Sequence, residues 1–188
     1  MGRGMIPRTP QNGLDSLRSP DHFCELSLIR KKVDKEMVKI GVTGHRPERL
    51  EKLAKVSKIT DWLDLQFYEH AAGDDFVLIS GMAQGVDQIA AHEALLFGGR
   101  IWCYYPYRRK MHEIEDYLNT KSDKIRYEYE KYEPQCYIDR DRRIVDDCDI
   151  LFAVWDGIKN GGTWQTIKYA RKIGRPIVYF GGNPEEKI

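Results

Sequence analysis

The sequence predicts an α/β protein: a doubly wound, mostly parallel sheet of about five strands with helices on both faces. Two observations predict it. From residue 37 onward, short apolar runs alternate with longer stretches whose apolar residues fall at helical spacing. Three of those runs also end in glycine-bearing turns that lead toward a helix. They are Val38-Lys39-Ile40-Gly41-Val42-Thr43-Gly44-His45-Arg46-Pro47, the stretch from Phe76 through Ser80-Gly81-Met82-Ala83-Gln84-Gly85-Val86-Asp87, and Ile150 through Trp155-Asp156-Gly157 with Gly161-Gly162-Thr163. A strand that ends in glycine before a helix exposes backbone N–H groups where phosphate binds well. Three such turns on one parallel sheet would line a single crevice beyond the strand ends.

The elements follow in order. Val38–Thr43 reads as a buried strand, and Glu51–His70 as one helix carrying Leu53, Val56, Ile59, Trp62 and Leu63. Phe76–Ser80 is a second strand, Gln84–Phe97 a helix that Gly98-Gly99 ends, and Arg100–Tyr104 a third strand. The polar stretch Met111–Glu130 predicts one or two exposed helices, and Cys136–Tyr137 a short strand. Ile138–Asp146 is a short helix before the strand Ile150–Trp155. Thr163–Ile173 is a helix stopped by Gly174, and Pro176–Phe180 is the last strand. Residues 1–36 are rich in Pro, Gly, Arg and Ser and lack apolar periodicity. They predict a flexible or loosely docked N-terminal extension ahead of a domain over residues 37–188.

Composition narrows the classes. A chain of 188 residues with 41% hydrophobic and 31% charged residues suits one globular domain. A net charge of +1 and the lack of a basic stripe count against nucleic acid as a partner. The absence of a long apolar run counts against a membrane. Four cysteines without CxxC spacing read as free thiols, with Cys103 and Cys148 buried, which suits a reducing, cytoplasmic setting. The five histidines show no ligand spacing with the cysteines, so no protein-bound metal and no cofactor are expected.

Each candidate residue has two readings. Gly44 and Gly81 serve either a tight turn or a close approach to phosphate. Thr163 either caps its helix or offers its hydroxyl to a ligand beside Gly161 and Gly162. His45 caps a loop or meets a ligand; Arg46 pairs with Glu48 or forks onto phosphate. Asp87 is favoured early in its helix by the dipole alone, or it binds a ribose. Arg140, Arg142 and Arg143 pair with neighbouring aspartates or form an anion site. Trp155 packs in the core or stacks on a base, and Asp156 shapes its turn or acts as general base or ribose acceptor. The aromatic run Tyr104, Tyr105 and Tyr107 with Arg108 and Arg109 serves base stacking or a homo-oligomer interface.

The three motifs, in this order over about residues 38–180, resemble the SLOG superfamily, Rossmann-like domains that include the DprA/Smf and LOG proteins. Their arrangement is most similar to the YpsA-like (DUF1273) branch, found in bacteria and phages. Thr43-Gly44-His45-Arg46-Pro47 resembles its opening motif, and Ser80-Gly81-Met82-Ala83-Gln84-Gly85-Val86-Asp87 its second. Asp139-Arg140 with Arg143, Trp155-Asp156-Gly157 and Gly161-Gly162-Thr163 resembles its third. The resemblance implies a nucleotide or NAD-like ligand in a cytoplasm, that of a bacterium or a phage-infected host. It marks Thr43, Gly44, His45, Arg46, Ser80, Gly81, Met82, Gly85, Asp87, Arg140, Arg143, Trp155, Asp156, Gly161, Gly162 and Thr163 as ligand-binding.

Two functions from different classes follow: a sensor, sequestering or regulatory binder, and a nucleotide N-glycosidase that releases a free base. LOG-type and deoxyribosyltransferase relatives carry a glutamate after Gly-Thr, which stabilises or captures an oxocarbenium-like sugar. Here Gln165 and Thr166 stand at those positions. The sequence therefore favours the binder, with Asp87 and Asp156 as the candidate acids if a hydrolase exists.

Overall fold

Parallel strands buried on both faces read as near-continuous apolar runs, and their side chains alternate between two cores. The structure, a computed structural model, describes residues 37–71 and 75–183. The expected extension over residues 1–36 lies outside them. In chain order the elements are β1 (Val38–Gly44), α1 (Pro47–Leu53), α2 (Val56–Ala71), β2 (Phe76–Ser80), α3 (Val86–Leu96) and β3 (Arg100–Tyr107). There follow α4 (Glu113–Thr120), β4 (Lys124–Tyr129), α5 (Cys136–Asp147), β5 (Ile150–Val154), α6 (Gly161–Lys172) and β6 (Ile177–Tyr179). The strands form one sheet in the order β4-β3-β2-β1-β5-β6, and every pairing is parallel.

Alternation places the helices. Ile40 and Val42 of β1, Leu78 of β2, Ile101, Cys103 and Tyr105 of β3, and Phe152 and Val154 of β5 face one core. Ile59, Leu63 and Phe67 of α2, three alanines of α3 and Leu118 of α4 fill it. Ile79, Tyr104 and Leu151 face the other side, against Ile144 and Val145 of α5 and Ala170 of α6. Each fully buried Val, Leu, Ile or Phe among them contributes roughly 1.5–3 kcal/mol, and the alanines less. The doubly wound α/β architecture is thus the one the sequence predicts, with six strands where about five were expected. Cys103, Cys136 and Cys148 are buried free thiols.

Three local expectations are corrected. The stretch read as exposed helices contains α4 but ends in the strand β4, KIRYEY. This is an edge strand, half-exposed and laced with charge, as edge strands are when they discourage further pairing. Its polarity hid it. Cys136 and Tyr137 open α5 instead of forming a strand. The single helix expected over Glu51–His70 is two, because Ala54 is extended (φ −162°, ψ 160°) and Pro47 starts α1 four residues earlier.

Two glycines of β1 are required by packing. A Cβ on Gly41 would lie 2.8 Å from Cys148 Sγ, where the end of α5 rests on the sheet. A Cβ on Gly44 would overlap the Val86 side chain at the start of α3. Gly44→Ala should therefore destabilise the fold by at least about 3 kcal/mol, at the upper end for overpacking, because Val86 is buried and cannot turn away. Urea denaturation followed by circular dichroism checks this; a loss below about 1 kcal/mol would show that α3 can shift.

Candidate functional site

The strand order reverses beside β1, between β1 and β5, and at this switch point the C-terminal strand ends leave a crevice. The cavity measures about 400 Å³. Of the residues marked from sequence, Thr43, Gly44, His45, Arg46, Asp87, Arg140, Gly161, Gly162 and Thr163 line it. Arg49, Ala83, Tyr137, Asp141 and Asn160 line it too and were not anticipated.

The floor is set by the end of β1. His45 is buried, and its carbonyl accepts the Val86 N–H at 3.3 Å, so the start of α3 is capped by protein. Gly85, at φ 103°, lets this happen: a side chain there would strike the His45 carbonyl. The His45 ring accepts the Asp156 N–H at Nε2 (3.2 Å) and places Nδ1 3.4 Å from Thr163 Oγ1. Burial lowers its pKa against the opposing pull of Asp156, which keeps the ring neutral. A neutral ring accepting at Nε2 carries its proton on Nδ1. Thr163 Oγ1 donates to the Gly44 carbonyl at 2.9 Å. Thr163 therefore neither caps its helix nor faces a ligand with its proton.

Asp156 is consumed by structure. Arg49 grips it with two N–H groups, the Nη2 contact at 2.8 Å, and the Ile158 N–H donates to it at 3.0 Å. Burial alone would raise its pKa; these hydrogen bonds and the nearby charges hold it below the usual carboxylate range. Of its two readings, these contacts match the one in which it shapes its turn. Trp155 is core: it stacks on Trp164 with centroids 5.2 Å apart and donates Nε1–H to the Ile158 carbonyl.

The second glycine turn is also committed to structure. Ser80 Oγ donates to the Asp87 carbonyl at 2.9 Å and accepts the Met82 N–H at 3.2 Å. Met82 is buried at φ 56°, a strained conformation for a side-chain-bearing residue, and Gln88 Nε2 donates to its carbonyl. Gly81 is glycine because the Arg140 guanidinium occupies the space of its Cβ and donates to its carbonyl. Ser80, Gly81, Met82, Gly85, Trp155 and Asp156 thus stand behind or beside the crevice rather than lining it. Arg143 lies in a separate surface cavity with Glu128, Tyr129 and Asp139.

Arg140 is the buried cation of the site, 5% exposed. Its Nη1 sits 3.9 Å from Asp87 Oδ2 and its Nε 2.8 Å from Asp141 Oδ1. The Nε–H is not aimed at that oxygen and makes no hydrogen bond. Burial pushes Asp87 up to about 6, outweighing Arg140, and burial raises Asp141 as well. Arg46, by contrast, is exposed at the rim and makes no ion pair among the described residues.

The third turn differs from the other two. Asn160 precedes α6 at the N-cap, yet its side chain makes no cap hydrogen bond. Its Oδ1 accepts from Arg49 Nη1 at 2.8 Å instead. The first-turn N–H groups of α6 are left without a side-chain cap, at the positive end of a 12-residue helix. Gly162 lacks a steric reason to be glycine: a Cβ there would meet only Asp141 Oδ2 at 3.8 Å, and its φ is not positive.

The family model for DNA recombination-mediator protein A matches residues 54–188. The chain belongs to this family. Its membership agrees with the SLOG-type, Rossmann-like resemblance carried by the motifs. Among solved structures, DNA processing protein A (DprA) from Streptococcus pneumoniae superposes with a TM-score of 0.57 at 21% identity, covering 76% of this chain and 50% of its own. DprA from Helicobacter pylori, described for its single-stranded DNA binding mode, gives 0.57 at 22% identity over 76% of this chain and 64% of its own. The Moco carrier protein of Chlamydomonas reinhardtii gives 0.52 at 20% identity over 80% of each chain. These likenesses show a shared fold, and the chain spans less than two thirds of the DprA structures. No curated protein matches the chain. The expectation against nucleic acid finds no support in these matches, since one of them is a DNA-binding protein. Among the described residues no helix is long and apolar enough to cross a membrane, and no cluster of side chains suits a metal.

Asp87 makes the site's electrostatics measurable. Its folded pKa of about 6 lies above the ordinary 3.8, so the folded protein holds this proton more tightly than the unfolded chain. The stabilisation is full below about pH 4 and is lost as pH rises through about 6. Relative to Asp87→Asn, the wild type should lose up to about 3 kcal/mol between pH 4 and pH 7.5. Paired urea melts across that range check it; parallel stability profiles would show that Arg140 fully compensates the carboxylate.

Proposed function

We propose that the crevice holds the phosphate of a nucleotide or nucleotide-derived small molecule, and that the domain acts as a sensor, sequestering or regulatory binder. One observation carries the reading: the uncapped first turn of α6, where Gly162 keeps open a space that neither packing nor backbone conformation demands. Phosphate oxygens accept well from such N–H groups. Arg46 at the rim adds a guanidinium that makes no ion pair with the described residues, and Arg140 lies beneath, balanced by Asp87 and Asp141 until those carboxyls take up protons. The placement in the YpsA-like branch rests on the motifs and favours the same ligand class.

A second reading has a specific observation behind it. Asp87 lines the crevice with its pKa near 6, which suits a proton donor at neutral pH. That would serve the N-glycosidase alternative. Against it, Gln165 stands in place of the glutamate of LOG-type proteins and lines a different cavity, and Asp156 is engaged by Arg49. Binding without turnover is the better-supported function.

The phosphate chemistry is common to free nucleotides and to a single DNA strand, as bound by the Helicobacter pylori relative. Calorimetric titration with nucleoside mono- and diphosphates, NAD derivatives and short single-stranded oligonucleotides separates the sources. Nucleotides should bind, and Gly162→Val should weaken them at least about 10-fold, the loss of roughly one helix-terminus contact. Its melting temperature should stay within a few degrees of wild type, because the site is open. Chromatography of the mixtures should show no free base. Base release abolished by Asp87→Asn would establish the hydrolase instead, and binding of oligonucleotides alone would make the domain a DNA binder.

A further inference from the structure

The phosphate site leaves open where the rest of the ligand goes. Tyr137, in the first turn of α5, lines the same cavity as Gly162 and Arg140 and is 38% exposed. It does not stand alone. Tyr107, from the end of β3, meets it edge-on with centroids 6.2 Å apart, and Tyr132 meets Tyr107 at 5.7 Å, both at 83°. Tyr132 is 61% exposed. The three tyrosines are thus packed edge to edge, and Tyr137 carries the cluster to the wall of a polar crevice. A rigid, buttressed ring at such a wall presents a π surface whose orientation is fixed before anything binds.

A further aromatic beside the crevice, Tyr169, is already covered. A second cavity of about 590 Å³ between α5 and α6 shares Asp141 with the first and includes Tyr169. The Arg142 guanidinium lies 5.6 Å from the Tyr169 ring centroid, and the Tyr169 hydroxyl donates to Asp146 at 2.8 Å. Lys168 and Lys172 complete that groove, which suits charge rather than a flat apolar ring. Among the described residues, Tyr137 offers the planar, weakly polar part of a ligand a fitting surface within the crevice itself.

We propose that Tyr137 is the base-stacking residue of the site, backed by Tyr107, so that the ligand class is a nucleotide carrying an intact base rather than a sugar phosphate. The proposal rests on the phosphate reading of the crevice. Stacking of a base on an aromatic side chain is sequence-tolerant, and its loss on truncation corresponds to roughly 5- to 100-fold in affinity. Purines, with the larger face, should bind more tightly than pyrimidines. Tyr107, as a positioning residue, should matter less than Tyr137.

The test uses the whole chain and four probes: AMP, UMP, ribose 5-phosphate and inorganic phosphate. Wild type should bind AMP at least about 5-fold more tightly than ribose 5-phosphate. Tyr137→Leu should bring AMP down to the affinity of ribose 5-phosphate while leaving ribose 5-phosphate and phosphate unchanged. Tyr137→Trp and Tyr137→Phe should keep the preference for AMP, which a purely structural role for the ring would not explain. Equal affinity of wild type for AMP and ribose 5-phosphate would overturn the shelf and leave the phosphate site standing. An equal loss for all four probes in Tyr137→Leu would overturn it as well. If Tyr137→Leu instead turns a dimer into a monomer with ligand preference intact, the ring is an interface between copies and the proposal fails. Absence of any binding by wild type would remove the phosphate reading and the shelf together.

Discussion

Everything at this site depends on how tightly the end of β1 is held against its neighbours. Gly44 lets Val86 press onto the strand, and the His45 carbonyl then caps α3. The Gly44 carbonyl accepts from Thr163, and the His45 ring reaches Asp156 and Thr163. Two adjacent residues thereby join the ends of β1 and β5 to the first turns of α3 and α6. The geometry of the α6 terminus is inherited from that knot. Arg49 reinforces it by gripping Asp156 and Asn160 together, which diverts the asparagine from its capping role. A helix end that is uncapped because its cap residue is employed elsewhere is different from one that merely lacks a cap: the N–H groups stay without a side-chain partner while Arg49 and Asp156 hold the loop that precedes them.

The buried charge follows the same economy of contact. An isolated guanidinium withdrawn from water costs several kcal/mol. Arg140 avoids this through the Gly81 carbonyl, Asp87 and Asp141, but the compensation is shared unevenly. Both carboxylates are pushed upward in pKa by the same burial that they relieve. The trio is therefore close to the point where a proton on Asp87 is released or kept. An anion arriving beside Arg140 would favour the protonated carboxyl, so ligand binding and proton uptake are linked in sign at this site.

Much of this was legible in the sequence because burial writes itself into pattern. The apolar runs around Ile40, Leu78 and Phe152 are strands because both faces are covered, and nothing in their surroundings competes with that signal. β4 was not legible because an edge strand is exposed on the side that a central strand buries, and KIRYEY alternates charge with aromatic residues as a solvated helix also does. Gly44, His45 and Arg46 were found because they end or directly follow β1, and Gly162 because a glycine pair with Thr163 opens the helix after β5. Arg49 and Asn160 were missed: one sits a turn into α1, the other in the loop after β5, and only their contact across more than a hundred residues gives them meaning. Arg143 was chosen with Arg140 by motif, yet it is half-buried and lines the neighbouring cavity with Tyr129 and Asp139 instead of the crevice.

The three glycine turns looked equivalent as sequence, and the structure separates them by asking what a methyl group would meet. At Gly44 it meets Val86; at Gly81 it meets Arg140. Both glycines are accounted for by the fold, and neither needs a ligand to explain it. At Gly162 the added carbon meets nothing nearer than a carboxylate oxygen at 3.8 Å, and the backbone conformation is open to any residue. Glycine costs about 1 kcal/mol relative to alanine in a helix interior, and some of that cost applies in the first turn, where Gly162 stands. A residue that weakens its helix and relieves no clash makes physical sense where another molecule's atoms must come close to the main chain. On that ground the third turn, rather than the first two, is where the chemistry of this domain is to be sought.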